Sequence, residues 1–547
     1  MKRLFTLICC AMIAMAVAAQ RHTDKLDRGV VAVPASTGGG YLVTWRIFGE
    51  EYYGVTYNLY ANGTKIASNL KVSNYNHTAG NASTKYQVAA VVNGVEQTKS
   101  QEVKPWTAGY LQIPMADVVD RNGNDVTSQY EINDASLGDV DGDGVAELMV
   151  KRNYTGGVNS SDNTTKFHHY ECYKMDGTRL WWIDMGPNMM AGPDEQWDIV
   201  AFDWDEDGKA EYVFRGADNM IIHTANGVEL QIGNMSYVAP RDEYTRNGNE
   251  YLLYVEGATG KPYAWDGSVP KFTPMAYPLP RFETGESDYE TVWGKNDTGH
   301  RSCKHYFGAP CLDGRHHSIF LGRGCYTRHK MCALDVDPVT HKLTQRWRWN
   351  EYSYTPWFGN GYHNFIIADV DEDGRDEIVF GSMVIDDNGK GLSTTGLGHG
   401  DAEHCGDFDP YRKGLEFLGC NETQPNMNYR NATTSKFYYR SKGTSDDGRA
   451  LCGNFTNDFP GCQGRSVNTA LISTVADKEI QGGPATGGTN DALFWSHLNF
   501  RIYWTGDLLE GVLDSPGTMR EAVVYTPAGG RVFQSSGCAL NNSSKNN

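Results

Sequence analysis

The sequence predicts an all-β chain, a small sandwich leading into a ring of repeated sheets, a β-propeller. Three features carry that reading: short alternating strands near the N-terminus, an acidic turn that recurs in front of apolar strands, and almost no segment of helical period. The chain has 547 residues, more than one ordinary compact domain holds, and 12% of them are aromatic, which excludes a disordered polymer. Its formal charge of −18 argues against a nucleic-acid partner, because such binders neutralise phosphates with a basic surface. A polyanionic ligand must be met by local positive charge.

Residues 1–19 read as a cleaved signal peptide: Lys2 and Arg3, then the apolar run Leu4 to Ala19 with small residues at Ala16, Ala18 and Ala19. The run is too short for a membrane span and no second one of eighteen apolar residues follows, so a secreted or periplasmic protein is expected. Two of the twelve cysteines lie in this leader. The others include Cys303/Cys311, Cys325/Cys332, Cys405/Cys420 and Cys452/Cys462, near neighbours that an oxidising compartment would permit to pair. Thiolate metal sites would need the tight C-x-x-C spacing that is missing here.

Residues 20–108 are expected to form the sandwich, of fibronectin type III-like character. Tyr41-Leu42-Val43-Thr44-Trp45 and Val55-Thr56-Tyr57-Asn58-Leu59-Tyr60 alternate as half-buried strands do, with Ala61-Asn62-Gly63 as a turn. The texture changes around Pro105-Trp106, and 109–547 is expected to form the propeller. There D-x-D-x-D-G-x-x-E occurs three times, from Asp139, Asp203 and Asp369, each copy followed by a strand such as Leu148-Met149-Val150-Lys151. A shortened relative starts at Gly406-Asp407-Phe408-Asp409, and a worn fifth copy at Gly453-Asn454-Phe455-Thr456-Asn457-Asp458. Uneven spacing between copies disfavours a β-helix and suits radial repetition with insertions.

Each full loop sets carboxylates at positions 1, 3, 5 and 9 around a point, with glycine at 6 and a backbone carbonyl at 7. That pattern supplies hard oxygen ligands for calcium. The candidate ligands are Asp139, Asp141, Asp143, Val145 and Glu147; Asp203, Asp205, Asp207, Lys209 and Glu211; Asp369, Asp371, Asp373, Arg375 and Glu377. Unlike an EF-hand, the closing Glu heads a strand. A single copy would read as an acidic surface turn; three alike point to bound ions, most of them pinning turns, since four clustered carboxylates repel without a cation.

Histidines and cationic residues gather in glycine-rich segments: Gly322-Arg323-Gly324-Cys325-Tyr326-Thr327-Arg328, Gly359-Asn360-Gly361-Tyr362-His363-Asn364 and Gly396-Leu397-Gly398-His399-Gly400-Asp401-Ala402-Glu403-His404. Glycine lets backbone approach a ligand closely. Any one of these histidines reads most simply as a hydrogen-bonded loop residue, and the cluster points further than its members. Asp401 and His404 are metal-ligand candidates together with Asp407 and Asp409 of the turn that follows, since imidazole and carboxylate share sites readily.

The run Asn133-Asp134-Ala135-Ser136-Leu137-Gly138-Asp139, the Gly-x-Gly-x-His segment and Gly-Leu-Gly-His-Gly-Asp-Ala resemble the rhamnogalacturonan lyases of polysaccharide lyase family eleven. The similarity covers nearly the whole mature chain. It implies eight propeller blades, several calcium ions and a rhamnogalacturonan endolyase, cutting the rhamnose to galacturonate bond of rhamnogalacturonan I in pectin by β-elimination. The residues alone leave internal and end-wise cleavage both open. The resemblance also implies a further metal ligand at Asp134 and sugar contacts at Asn133, His363 and His399, the two histidines belonging to the catalytic centre. Arg449 and Lys545 match the cationic pair suited to neutralising a carboxylate and abstracting a proton.

A galacturonate C5 proton is weakly acidic, so a lyase must neutralise the adjacent carboxylate and place a base near the proton. Arg323, Arg328, Arg449, Lys545, His363, His399 and bound calcium can supply the positive charge, with Tyr326 beside them as a sugar contact. Some positions depart from the family. Asn153 stands where relatives carry Asp, Asn542-Ser543-Ser544 replaces Asn-Gly-Thr among the expected substrate contacts, and Gly192-Pro193-Asp194-Glu195-Gln196 lacks a histidine. Relatives continue for several strands past Asn547, so the last blade is expected to be incomplete. That sets a non-catalytic, calcium-stabilised propeller, binding acidic glycan or a protein partner, beside the monomeric enzyme as the alternative.

Overall fold

The computed structural model describes residues 21–23, 25–48, 51, 54–156, 163–189, 199–240, 247–295, 299–352, 355–443, 446–466, 468–480 and, as backbone only, the strands Asn499–Tyr503, Glu510–Asp514, Glu521–Tyr525 and Arg531–Ser536. The expected signal peptide, the segment from Gly192 to Gln196, and Asn542, Ser543, Ser544 and Lys545 lie outside them. Among the described residues no helix is long and apolar enough to cross a membrane.

The N-terminal domain is two antiparallel sheets. One joins Val31–Pro34, Tyr41–Thr44 and Asn74–His77; the other has the order Thr64–Leu70, Thr56–Ala61, Tyr86–Val92, Val95–Glu96. Asn62 and Gly63 both take positive φ, 49° and 79°, the geometry that closes a tight hairpin with the twist of its strands. Ala32, Val43, Leu59 and Val88 from both sheets are buried in one core, as the alternating pattern requires.

Seven sheets follow among the described residues, where eight were expected. In chain order they begin with Tyr130–Gly138, Ile199–Phe202, His305–Gly308, Ile366–Ala368, Gly400–Gly406, Ala450–Gly453 and Asn499–Tyr503, and six of them have four strands. The first is wider. Met220–His223 and Glu229–Ile232, from the insertion between Glu211–Ala217 and Glu250–Val255, fold back to extend it beyond Arg179–Asp184, and Lys271–Phe272, from the segment after Glu250–Val255, adds the last strand.

Strand periodicity explains how the sheets stack. Successive side chains point to opposite faces, so in Glu211–Ala217 Tyr212 and Phe214 pack on Trp181 and Ile183 of the first sheet, while Val213 packs on Leu321 and Cys332 of the third. The same division repeats along the chain. Phe320 and Met331 meet Ile378 and Phe380, Val379 meets Phe417, and Leu418 and Tyr429 meet Cys452 and Ile472. The second to fifth sheets are thus buried on both faces by their sequence neighbours, at about 1.5–3 kcal/mol per large apolar side chain.

The nine described cysteines are free thiols, so the expected pairings do not form among them. Register is the reason for one pair: Cys405 stands opposite Phe417, and Cys420 opposite Ala402.

Strand direction sorts the loops onto two ends. The turn from the first to the second strand of a sheet carries the acidic motif, so 139–146, 203–210, 369–376, 407–415 and 454–462 share one end. The starts of first strands, the turns from second to third strands and the ends of fourth strands share the other. At the acidic end the N-terminal segment crosses several sheets: His22 bonds Asp203 at 3.0 Å and the Arg315 carbonyl at 3.0 Å, and Arg21 bonds Asp376 at 2.9 Å.

Within each full loop the glycine N–H donates to the first Asp, at 2.8, 2.9 and 3.0 Å, and the glycines sit at φ of 87°, 91° and 90°, which a side chain would strain. Val145, Lys209 and Arg375 donate their N–H to the fifth-position Asp. The closing Glu turns one oxygen back to the loop, accepting from Val140, Trp204 or Val370 at 3.0, 2.9 and 2.8 Å. Among the described residues its other oxygen is buried without a hydrogen-bond partner in Glu377, as is Asp203 Oδ1. Carboxylate oxygens of Asp203, Asp205, Asp207 and Glu211 lie within 4.8 Å of one another, as do those of Asp139, Asp141 and Asp143, and of Asp369, Asp371 and Glu377. Burial, reinforced by neighbouring aspartates, raises Glu147 to about 7, Glu377 to about 8 and Glu211 to about 9. Cationic or imidazole groups of the chain touch single loop carboxylates, Lys174 on Asp141, His22 on Asp203 and His341 on Asp205, but three or four clustered oxygens still fit a hard divalent cation.

The shorter copies differ. Asp409, a predicted ligand, meets a cation of the chain itself, Arg412, at 3.1 Å, and Arg412 also holds Asp477 at 2.9 Å. In the fifth copy Gln463 replaces the closing Glu. Its carbonyl oxygen accepts from Phe455 and Thr456 at 2.8 and 3.1 Å, the same bonds without the charge.

Candidate active site

Five segments meet at the end away from the acidic loops. The turn after Ile319–Arg323 carries Cys325 and Tyr326, and it can turn sharply because Gly324, at φ 108°, would have a Cβ only 2.1 Å from the Arg328 carbonyl. Tyr326 itself has φ 63°, a left-handed conformation that costs a non-glycine residue about 1–2 kcal/mol. Gly359–Asn364 leads into the fourth sheet with His363. Gly396–Asp401 leads into the fifth, where the register shifts between Gly400 and Ala402 and re-aims Asp401. Glu422 follows Glu416–Asn421, and Arg449 precedes Ala450–Gly453.

His329 holds two of these segments together. Its Nδ1 donates to the Gly324 carbonyl at 3.1 Å, which leaves Nε2 to accept from the Gly361 N–H at 3.2 Å. Asn360 adds a second brace, accepting from the Gly398 N–H at 2.9 Å and donating to the Pro356 carbonyl at 2.9 Å.

The functional side chains are close and buried. The His363 and His399 ring centroids are 4.7 Å apart, and the Tyr326 ring lies 4.0 Å from that of His399. His363 Nε2 is 3.1 Å from the Tyr326 hydroxyl and 3.3 Å from Asp401 Oδ1, and its Nδ1 faces Cys325 Sγ at 3.8 Å. Arg449 reaches the other Asp401 oxygen at 3.5 Å. His399 Nδ1 donates to the Gly361 carbonyl at 2.7 Å, so in the neutral ring Nε2 presents a lone pair. That nitrogen has no hydrogen-bond partner among the described residues, yet Asp401 and Glu422 approach it at 3.7 and 3.8 Å. One imidazole nitrogen and two carboxylates around a gap form a donor set that a divalent cation fits.

Burial depresses His363 to about 3, with His399 and Lys304 adding to it and Asp401 opposing, so the ring is neutral near pH 7. Burial likewise pushes the Cys325 thiol up to about 12, which makes it a poor thiolate nucleophile.

Of the predicted residues, Tyr326, His363, His399, Asp401 and Arg449 are brought together. His404 is not among them: three positions beyond Asp401, it bonds the Ala450 carbonyl at 3.1 Å, so the expected Asp401–His404 pairing is replaced by Asp401 with His399 and Glu422. Arg323 ends a strand whose alternation turns it inward. It bonds Glu250 at 2.7 Å and the Ser302 and Leu279 carbonyls at 2.7 and 2.9 Å, in a cluster where Arg215 and Arg281 also hold Glu250 near 2. Arg328 is equally committed, to Glu286 at 2.7 Å and Asn350 at 3.0 Å. Both guanidinium groups are thus engaged by carboxylates of the chain. Asn133 and Asp134 occupy a register shift in the first strand of the first sheet, near Asn153, whose Oδ1 is buried without a partner among the described residues. Sequence reasoning missed Cys325, His329, Glu422 and Lys304; only for Cys325, inside a glycine-rich run, was there a local signal.

The sequence and architecture have counterparts among known proteins. The family model described as the C-terminal domain of rhamnogalacturonan lyase family 11 matches residues 110–547, and that of the rhamnogalacturonan I lyase beta-sheet domain matches residues 21–106. Rhamnogalacturonan endolyase YesW of Bacillus subtilis (strain 168) is 35% identical over 565 residues, covering 100% of this chain and 84% of the relative. Rhamnogalacturonan exolyase YesX of the same organism is 33% identical over 558 residues, covering 96% and 84%. The crystal structure of YesW superposes with a TM-score of 0.78 at 33% identity, over 96% of this chain and 85% of that one. A Bacillus licheniformis rhamnogalacturonan lyase gives 0.79 at 31% identity, over 96% and 85%. All of these matches are to polysaccharide lyases. The chain belongs to rhamnogalacturonan lyase family 11, and it is itself a polysaccharide lyase.

Proposed function

We propose that this chain cleaves the rhamnose-α-1,4-galacturonate bond of rhamnogalacturonan I by β-elimination, with calcium as cofactor. The observation that carries the reading is the convergence of Arg449, His363, His399, Asp401 and Glu422 at one end of the sheets, beside Tyr326. In the elimination a base takes the C5 proton, the electron pair forms the C4–C5 double bond, and the C4–O bond breaks with protonation of the departing rhamnose oxygen. The transition state places negative charge on the C6 carboxylate. Arg449 is assigned to neutralise that charge, and Lys545, outside the described residues, is the proposed base. Asp401, His399 and Glu422 would hold a divalent ion, which when bound supplies a second positive charge to the carboxylate. His363, kept neutral, and Tyr326 orient the sugar without adding charge, and Asn133 and Asn153 offer amides to it from the first sheet.

The wider reading is a sandwich over 20–108 and an eight-bladed propeller over 109–547, secreted or periplasmic after loss of residues 1–19, and monomeric. Sequential face-to-face packing supports the ring, and the full acidic loops support structural calcium at its far end from the site. The test is the ultraviolet absorbance of unsaturated galacturonate on addition of rhamnogalacturonan I to the calcium-loaded protein. A flat trace, with a known family 11 lyase active in parallel, defeats the catalytic reading; loss of signal in chelator and return with calcium supports the cofactor.

A further inference from the structure

Beside the His399 cluster lies a cavity of about 440 Å³ lined by Gln424, Pro425, Arg440, Ser441, Lys442 and Gly443. Both walls are fixed. Ser441 exchanges two bonds with Met427, its hydroxyl accepting from the Met427 N–H at 2.8 Å and its own N–H donating to the Met427 carbonyl at 2.9 Å. Gln424 Nε2 donates to the Gly396 carbonyl at 3.0 Å, which ties the opposite wall to the segment bearing His399. Gly443 crosses Pro425 so closely that a Cβ would stand 2.2 Å from the Pro425 carbonyl oxygen.

Position and charge decide what this groove can take. Gln424 is two residues beyond Glu422, so their backbones are at most about 7 Å apart, and Glu422 is 3.8 Å from His399. Arg440 and Lys442 are exposed, and neither is in an ion pair among the described residues. No carboxylate lines the groove. That sign is selective on a chain of charge −18. A second cavity, of about 580 Å³, is lined by Glu286, Asp288 and Glu290 against the single cation Arg328, which Glu286 already pairs, so its lining is net acidic and would disfavour an acidic sugar.

We propose that the Arg440–Lys442 groove is a secondary subsite for the carboxylate of a second galacturonate, next along the polymer from the one being cleaved. The proposal rests on the rhamnogalacturonan reading above. In a backbone of alternating neutral and acidic sugars, successive carboxylates are one disaccharide apart. A cationic pair just outside the centre therefore recognises the alternation itself. Arg440 and Lys442 supply the charge, and Gln424 and Ser441 supply hydrogen-bonding groups for sugar hydroxyls.

The test compares the calcium-loaded full chain with its Arg440→Gln/Lys442→Gln double variant. For polymeric rhamnogalacturonan I at low ionic strength, KM is expected to rise about 5- to 10-fold with kcat unchanged, two solvent-exposed charge contacts being worth about that much. The difference should shrink in high salt, and KM for the shortest cleavable oligosaccharide should stay at its wild-type value. Lys442→Arg together with Arg440→Lys keeps the charge and should keep the wild-type KM. An unchanged polymer KM overturns the subsite, and so does an equal rise for short and long substrates. If the wild-type chain does not cleave, retardation in polymer-containing gels replaces KM. Retardation of wild type with release in the double variant supports the subsite while the catalytic reading fails, equal retardation of both overturns the subsite alone, and no retardation of either overturns both.

Discussion

Asp401 is the residue through which the candidate centre is joined: one oxygen faces His363 and His399, the other Arg449. Asp401→Asn keeps the shape and removes the charge. The expected result is a loss of about 10²- to 10³-fold in kcat, the usual cost of one misplaced electrostatic group, with the melting temperature nearly unchanged. A variant retaining activity within twofold would take Asp401 out of the machinery. His329 is a positioning residue, and His329→Phe should lower kcat and raise KM together, because both the Tyr326 turn and the His363 segment lose their common hydrogen-bond partner. His363 and His399 were legible because both lie in glycine-rich segments, His399 directly between Gly398 and Gly400, where a packed histidine is poorly placed. His329 was not, since its signal is a pair of bonds to backbone atoms far away in sequence. Arg323 failed in the opposite way: its glycine neighbours resemble a ligand loop, but strand alternation directs it to Glu250.

The repeated acidic turn was the most readable element, and its variants show what the sequence does not state. The three full copies bring three or four carboxylates together, the fourth pairs Asp409 with Arg412 although Glu416 Oε1 is buried without a partner among the described residues, and the fifth exchanges Glu for Gln463. Ion binding should follow that division. Glu377→Gln is expected to lower the calcium bound per chain by one, measured by elemental analysis after dialysis, whereas Glu416→Gln should leave the count unchanged. An equal loss in both would show that the fourth loop is also an ion site despite its arginine. Gln463→Glu puts a charge where Gln463 is 0% exposed and its side chain bonds backbone groups of Phe455, Thr456 and Gly461, so destabilisation by about 1–3 kcal/mol is expected without calcium. The spacing of carboxylates made the three full loops visible. Arg412 lies outside the motif, so only the folded turn shows that it has taken the cation's place.

At the scale of the whole molecule, the sheets are held to one another by apolar faces, while one end of the assembly gathers the clustered carboxylates of the acidic loops. Alternation along strands made the packing predictable, but the widened first sheet was not, because the insertion that builds it bonds to strands distant in the chain. The acidic end makes stability depend on pH in a direction set by the ions. Glu147, Glu377 and Glu211 are raised from 4.5 to about 7, 8 and 9 when folded without metal. The folded state then holds protons that the unfolded chain has already released. Their contribution is fully present below about pH 4.5 and is lost as pH rises through 7 to 9. In chelator the melting temperature should therefore fall from pH 5 to pH 9. In excess calcium the slope should reverse, since the ion binds the deprotonated loops and stabilises the folded state the more as protons leave. Differential scanning calorimetry at both conditions checks it. Parallel curves with and without calcium would mean that the loops carry no ions and that the carboxylates are held apart by hydrogen bonds alone.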